Sequence, residues 1–243
     1  MTLRALDYPR EALAQFGRER LLMECDNELE ELMRVVACAK EPLTVALIEG
    51  LPAGSILWDV GANVGSYTLL AAALGLGVVA FEPVPENFAA LSRNLALNNL
   101  LKEVVLLPIG LGQGHGLLWL HRGDMRAGAA SHTIDAQDLH AKGELHRQLI
   151  PVMSMDDALE YFNLPPPTAI KLDVDGFEIQ VLAGAEKTLA LPSLGQLLIE
   201  LHDSWDGYLT GWLAERGWQV AETWEHRGPI YYGRFERVVA PGN

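Results

Sequence analysis

The sequence predicts an α/β fold: a mostly parallel sheet with helices on both faces and an antiparallel strand pair at its C-terminal edge. Three observations carry this reading. Short apolar runs alternate with amphipathic segments, the first such run breaks at closely spaced glycines, and the last two runs are aromatic and β-branched with only a turn between them. A chain of 243 residues then divides most simply into one α/β domain over residues 51–243 behind an appended segment of residues 1–50.

In the appended segment, residues 10–39 place Leu13, Phe16, Leu21, Leu22, Leu29, Leu32, Met33 and Val36 among charges, a spacing that predicts one or two amphipathic helices. Residues 55–60 read as the first buried strand, 64–74 as a helix and 77–81 as the second strand. Pro85 suits the first turn of the next helix, whose Phe88, Leu91 and Leu95 share a face. Residues 104–109 form the third strand. Residues 110–150 are looser and carry five of the seven histidines, His115, His121, His132, His140 and His146; such a stretch predicts a short hairpin plus a loop or lid. A brief strand over 151–155, a helix from Asp156, a fourth strand over 168–172, a helix over 177–189 and a fifth strand over 196–201 follow. A helix near 208–216 leads to the antiparallel pair, 218–224 and 231–239.

Composition excludes some functions. Thirty-two acidic against 18 basic residues give a net charge of −14, and sequence-independent nucleic-acid binding needs the reverse. Cys25 and Cys38 show no metal-type spacing and no disulfide framework, which points to free thiols in a reducing cytoplasm. The N-terminus lacks the basic start and apolar run of a signal peptide. Residues 60–81 are free of formal charge, yet Gly61, Asn63, Gly65, Ser66, Thr68, Gly75 and Gly77 break them into strand, turn, helix and strand rather than a membrane span.

The sharpest local signal is Asp59-Val60-Gly61-Ala62-Asn63-Val64-Gly65. Glycines between a strand and a helix let a ligand approach the backbone at the helix N-terminus. The dinucleotide fingerprint would need glycine where this chain has Asn63 and Ser66, so a pyrophosphate ligand, and with it a nicotinamide oxidoreductase, is disfavoured. Glu82 follows Gly61 by 21 residues at the end of the second strand, where a carboxylate can accept two hydrogen bonds from a ribose diol. The bland alternatives are an ordinary βα turn and an Asp59 that only caps it.

These residues, with Phe81-Glu82-Pro83-x-Pro85-x-x-Phe88, Ile170-Lys171-Leu172-Asp173-Val174-Asp175-Gly176-Phe177-Glu178 with Leu182 and Gly184, and Ile199-Glu200, resemble the successive motifs of FkbM-type methyltransferases. Asp175 stands where that family more often has Glu, and Met155 where Leu is commoner. The resemblance covers about residues 55–201. It implies a class I, Rossmann-like fold with a seven-stranded sheet and S-adenosylmethionine (SAM) as cofactor. It further implies that Asp59, Gly61, Asn63 and Gly65, with the adjoining Ala62, Ser66 and Tyr67, cradle the methionine part. Glu82 with Pro83 would bind the ribose, and Gly110-Leu111 would lie beside the adenine.

Methyl transfer needs alignment more than side-chain chemistry, although a general base aids a hydroxyl acceptor. Polar residues at the carboxyl ends of the later strands are the candidates: Asp173 first, with a helix cap as its alternative, then Glu200 and His202. Asp175 and Glu178 suit a capping box. A divalent metal held by Asp173, Glu200 and His202 is a weaker reading, and the histidine spacings in 115–146 fit no zinc motif. Trp205, Trp212, Trp218, Trp224, Tyr231 and Tyr232 are candidates for an acceptor pocket, Trp205 foremost, while Trp218 and Trp224 read better as core. The expected reaction is O-methylation of a small-molecule hydroxyl, on a sugar or a secondary metabolite. The alternatives are N-methylation of a small amine, an oxidoreductase, or a non-catalytic SAM-binding protein.

Overall fold

The computed structural model describes residues 10–130, 133–134, 146–204 and 206–238. The central sheet contains the predicted strands: β3 (Ile56–Val60), β4 (Gly77–Phe81), β5 (Val104–Leu107), β10 (Ala169–Leu172), β11 (Gln196–His202), β12 (Trp218–Arg227) and β13 (Ile230–Arg237). Their order is β12-β13-β11-β10-β3-β4-β5. The five strands from β11 to β5 are parallel, and β13 and β12 add antiparallel at one edge.

The parallel strands are mainly apolar because both faces are covered, with Asp59 and Lys171 as buried charges among them. Helix α3 (Ser66–Ala73) lies in one core cluster with Leu57, Val78 and Ala80, together with Leu91 and Leu95 of α4 (Pro85–Leu97). On the other face, α5 (Met155–Tyr161), α6 (Glu178–Ala183), α7 (Glu186–Leu189) and α8 (Asp206–Ala214) cover Trp58, Val79, Ile170 and Leu197. The uncharged stretch 60–81 is therefore strand end, turn, α3 and β4, and no helix among the described residues is long and apolar enough to cross a membrane.

The first segment corrects the expectation of helices over residues 10–39. It opens as an antiparallel hairpin, β1 (Arg10–Phe16) and β2 (Glu19–Cys25), turning at Gly17 with φ +55°. Ala14 and Phe16, then Leu21, Met23 and Cys25, are buried at a period of two, and the apolar spacing over Leu13, Phe16 and Leu21 only mimics a helical one. Asparagines on α4 complete the edge of β2: Asn98 Oδ1 accepts from the Leu22 amide at 2.9 Å, and Asn94 Oδ1 from that of Glu24 at 2.8 Å. Helical structure begins only at residue 28, running into the π-helical turn Glu30–Arg34, followed by α1 (Ala37–Lys40) and α2 (Pro42–Glu49). Cys25 thus ends a strand, not a helix; both cysteines are buried and free.

The insertion is more regular than expected. Strands β6 (Gly110–Gly112), β7 (Gly116–Arg122), β8 (Thr133–Ile134) and β9 (His146–Ser154) form a second sheet in the order β6-β9-β7-β8. The long antiparallel pairing of β7 with β9 runs from Arg122 opposite His146 to Gly116 opposite Val152, joining residues 24 to 36 positions apart. Ser154 then caps α5, its Oγ accepting from the Asp157 amide at 3.0 Å.

Candidate active site

The site opens at the carboxyl ends of β3, β4, β5 and β10. After β3 the chain turns through Gly61, whose amide donates to the Phe81 carbonyl at 3.0 Å and so straps the turn to β4. A Cβ on Gly61 would lie 1.9 Å from the Asp173 carbonyl oxygen, so only glycine lets the β3 and β10 turns meet. Asn63 takes a left-handed φ of +53°, which Asn tolerates. Its amide donates to Glu82 Oε2 at 2.7 Å and its Nδ2 to the Ala129 carbonyl at 2.9 Å.

Glu82 is only 4% exposed. Its Oε1 accepts from the Val84 amide at 2.8 Å, and the Asn87 side chain also hydrogen-bonds it. Burial still pushes the carboxyl up to about 7, because neutral donors return less than desolvation removes. Beside it Pro83, Val84, Ile109, Gly110, Leu111, Leu120 and Ile134 form an apolar slot, within a cleft that also reaches Gly61, Asn63 and Asp173. A carboxylate between an apolar slot and a glycine floor suits an adenosine-type ligand. Part of the insertion runs across this cleft: Asn27 Nδ2 donates to the Ala127 carbonyl, Arg34 Nε to that of Gly128, and Asn87 Oδ1 accepts from the Gly128 amide.

At the β10 end the chemistry is ionic. Lys171 Nζ lies 3.0 Å from Asp173 Oδ2 and 3.8 Å from Asp59 Oδ1, and 5.1 Å above the Tyr67 ring. Burial opposes the Lys171 charge, but the two carboxylates hold its pKa above the ordinary value. Asp173 keeps a quarter of its side chain exposed. Against its own desolvation, Lys171 first, then Arg34 and the Tyr232 hydroxyl, hold its carboxyl below the usual range. Tyr232 donates to Asp173 Oδ2 at 3.2 Å from the antiparallel strand β13. Glu200, directly opposite Tyr232 in the β11–β13 register, is pushed up to about 9 by burial and by Asp173, Glu178 and Asp175.

Of the residues expected to hold a cofactor, Gly61, Asn63, Glu82, Pro83, Gly110 and Leu111 line the cleft, as does Asp173. Ala62, Gly65, Ser66 and Tyr67 stand behind that lining: Gly65 packs on Leu91, Ser66 Oγ donates to the Arg34 carbonyl at 3.1 Å, and Tyr67 is buried under Lys171. Asp59 also stands behind it, fully buried, accepting from Thr68 Oγ1 at 2.6 Å. Glu200 and His202 lie one strand beyond the lining, and His202 Nδ1 accepts from the Ser204 amide at 3.1 Å.

The expected capping box of Asp175 and Glu178 forms differently. Asp175 adopts φ +55° in the turn and lines the cleft, while Glu178 reaches back to the Val174 and Gly176 amides. No group of three metal-ligating side chains gathers among the described residues. His132, His140 and Trp205 lie outside the described residues; Trp218 is core and Trp224 stacks on Tyr232. Sequence reasoning passed over Lys171, Arg34 and Asn87 as site residues. A lysine inside an otherwise apolar strand was the one local signal available, since a buried cation requires a partner.

A parallel sheet with an adenosine-type cleft at its strand ends, closed by an antiparallel edge pair, defines the class I methyltransferase architecture. Residues 59–220 match the family described as the methyltransferase FkbM domain, and the chain belongs to that family as a SAM-dependent methyltransferase. Among similar proteins is the hexuronic acid methyltransferase AglP of Haloferax volcanii, 28% identical over 177 residues that cover 72% of this chain and 68% of that one. Among solved structures, the methyltransferase FkbM from Methylobacillus flagellatus KT superposes with a TM-score of 0.51 at 19% identity. That match takes in 74% of this chain and 43% of that one. The SAM-bound magnesium protoporphyrin IX methyltransferase from Synechocystis PCC 6803 gives 0.52 at 13% identity over 87% of this chain and 84% of that one. At these identities the two structures speak to the fold alone.

Proposed function

We propose that the chain methylates a hydroxyl oxygen on a small molecule, with SAM held in the cleft between Glu82 and Asp173. When bound, SAM supplies an electrophilic methyl on a cationic sulfur. Glu82 accepts the ribose hydroxyls, the slot of Pro83, Ile109, Gly110 and Leu111 takes the adenine, and Gly61 and Asn63 form the floor under the methionine end. The single observation that carries the O-methylation reading is Asp173, a cleft-facing carboxylate that Lys171 keeps ionised. As the acceptor oxygen gains the methyl, Asp173 takes the hydroxyl proton, for which an ionised carboxylate at neutral pH is required.

Glu200 holds its proton at neutral pH and serves as a hydrogen-bond donor beside Asp173, not as the base. The name of the AglP relative supports an oxygen-rich acceptor such as a sugar acid. The test is transfer of labelled methyl from SAM across a panel of hydroxylated and aminated metabolites. Turnover of hydroxyl acceptors that fails in Asp173→Asn supports the reading; turnover confined to amines, indifferent to Asp173, overturns it.

A further inference from the structure

Among the described residues lining the cleft, Arg34 is the one cation, set among Glu82, Asp173 and Asp175. It belongs to the first segment, upstream of the family match at residues 59–220. Both ends of the residue are fixed. Its carbonyl accepts from Ser66 Oγ at the first residue of α3, and its Nε donates to the Gly128 carbonyl at 2.8 Å. The guanidinium thus has one edge anchored, while no hydrogen bond of its Nη groups joins it to another described residue.

Position decides which anion it meets. The apolar slot lies at the ends of β4 and β5, and Asp173 ends β10; across the order β10-β3-β4-β5 that is three strand spacings, about 14 Å. A ligand whose adenosine fills the slot and whose ribose meets Glu82 runs its other end toward β3 and β10. Arg34 stands there, close enough to Asp173 to help hold that carboxyl ionised. The first amides of α3, which have no partner within the helix, add partial positive charge on the same side.

We propose that Arg34 binds the α-carboxylate of the cofactor's methionine through its Nη groups, so that the first segment completes the SAM site. This rests on the reading that SAM occupies this cleft. Planar, paired N–H donors suit a carboxylate, and the pair is stronger than a neutral hydrogen bond. The cation also makes an otherwise acidic cleft able to hold an α-amino acid of both charges.

Calorimetry on the full chain with three ligands tests the assignment: SAM, decarboxylated SAM and 5′-methylthioadenosine, which lacks the whole amino-acid portion. Wild type should bind SAM about tenfold to a hundredfold more tightly than decarboxylated SAM. Arg34→Gln, which keeps a donor for the Gly128 carbonyl, should bring that ratio close to one while leaving 5′-methylthioadenosine affinity unchanged. A ratio that survives in Arg34→Gln overturns the proposal, as does an equal loss for all three ligands, which would make Arg34 a support for the Gly128 segment. A loss confined to turnover of carboxylated acceptors would also overturn it by assigning Arg34 to the acceptor. The cleft reading fails separately: wild type would then bind 5′-methylthioadenosine no better than Glu82→Ala does.

Discussion

Glu82 and Asp173 stand at opposite ends of one cleft, and the protein compensates the two carboxylates, the first buried and the second partly so, by different means. Glu82 is met by the Asn63 and Val84 amides and the Asn87 side chain, all neutral, and burial leaves it at about 7. Asp173 is met by Lys171 at 3.0 Å and by the Tyr232 hydroxyl, and it stays below the usual range. Neutral donors at Glu82 thus do less for a desolvated charge than the Lys171 cation, aided by Arg34 and the Tyr232 hydroxyl, does at Asp173. The β4 end is thereby poised to titrate near neutrality when a ribose is offered, and the β10 end is fixed as an anion. Glu200 shows the third case, a carboxyl facing other carboxylates, which keeps its proton to about 9.

The largest expected effect is at the ionic end. Asp173→Asn keeps the shape but removes the proton acceptor, and kcat for a hydroxyl acceptor should fall about 10²–10⁴-fold. SAM affinity by calorimetry should change far less; a fall confined to binding would make Asp173 a cofactor ligand rather than the base. Lys171→Met tests the cation directly. It leaves Asp59 and Asp173 without their shared partner, so unfolding by denaturant should show a loss of about 3–5 kcal/mol. Where the variant folds, the acidic limb of the pH–activity profile should move to higher pH. A limb that stays put would mean that the amide and hydroxyl donors suffice for Asp173 as well, and the contrast between the two ends would collapse.

At the neutral end, Glu82→Ala should weaken SAM by about 1.5–3 kcal/mol, the range for hydrogen bonds to a charged group. The pH dependence has a definite sign. A carboxyl raised from 4.5 to about 7 in the folded state contributes stability that is fully present below the unfolded value and is lost as pH rises through the folded one. Stability of the ligand-free protein should therefore fall from pH 4.5 to about 7, by on the order of 3 kcal/mol from this group, and Glu82→Gln should flatten that slope. SAM, whose ribose donates to the ionised form, should bind more tightly above pH 7 than below it. Binding independent of pH across this range would contradict the ribose role.

The two ends also differ in how far the sequence discloses them. Glu82 sits directly after an apolar run and 21 residues past Gly61, a local arrangement that periodicity and turn chemistry expose. The same holds for the sheet: Ile56–Val60, Gly77–Phe81 and Gln196–His202 are short, mainly apolar runs bounded by turns, because both faces of a parallel sheet are covered. Of the Lys171 network, only the lysine within a short apolar strand shows locally; its partners do not. Tyr232 lies 59 residues from Asp173 and reaches it only because β13 turns back against β11. Arg34 reaches the cleft through a π-helical turn that packs on α3. The first hairpin was hidden for another reason: charges alternate with apolar residues in β1 and β2 so that both helical and strand periods fit, and Asn94 and Asn98, far along the chain, decide between them. Likewise β7 and β9 pair across a long connection, which no local window detects.

Asn87 offers the smallest and most discriminating change. Its side chain hydrogen-bonds Glu82, while its Oδ1 accepts from the Gly128 amide at 2.8 Å, joining the neutral end to the segment that crosses the cleft. Asn87→Ala removes one of three neutral donors from Glu82 and strands the Gly128 amide, which should lower stability by about 1 kcal/mol. With fewer donors the Glu82 carboxyl rises further above 7, so the pH at which SAM binding strengthens should move up with it. Asn87 does not touch Lys171 or Asp173, and the acidic limb of the hydroxyl-transfer profile should keep its position. If the binding midpoint holds still while stability drops, Asn87 acts on the Gly128 segment alone, and Glu82 depends on its two backbone amides. If the acidic limb moves as well, the two ends are electrostatically coupled across the cleft, and the separate compensation of Glu82 and Asp173 gives way to a single shared titration.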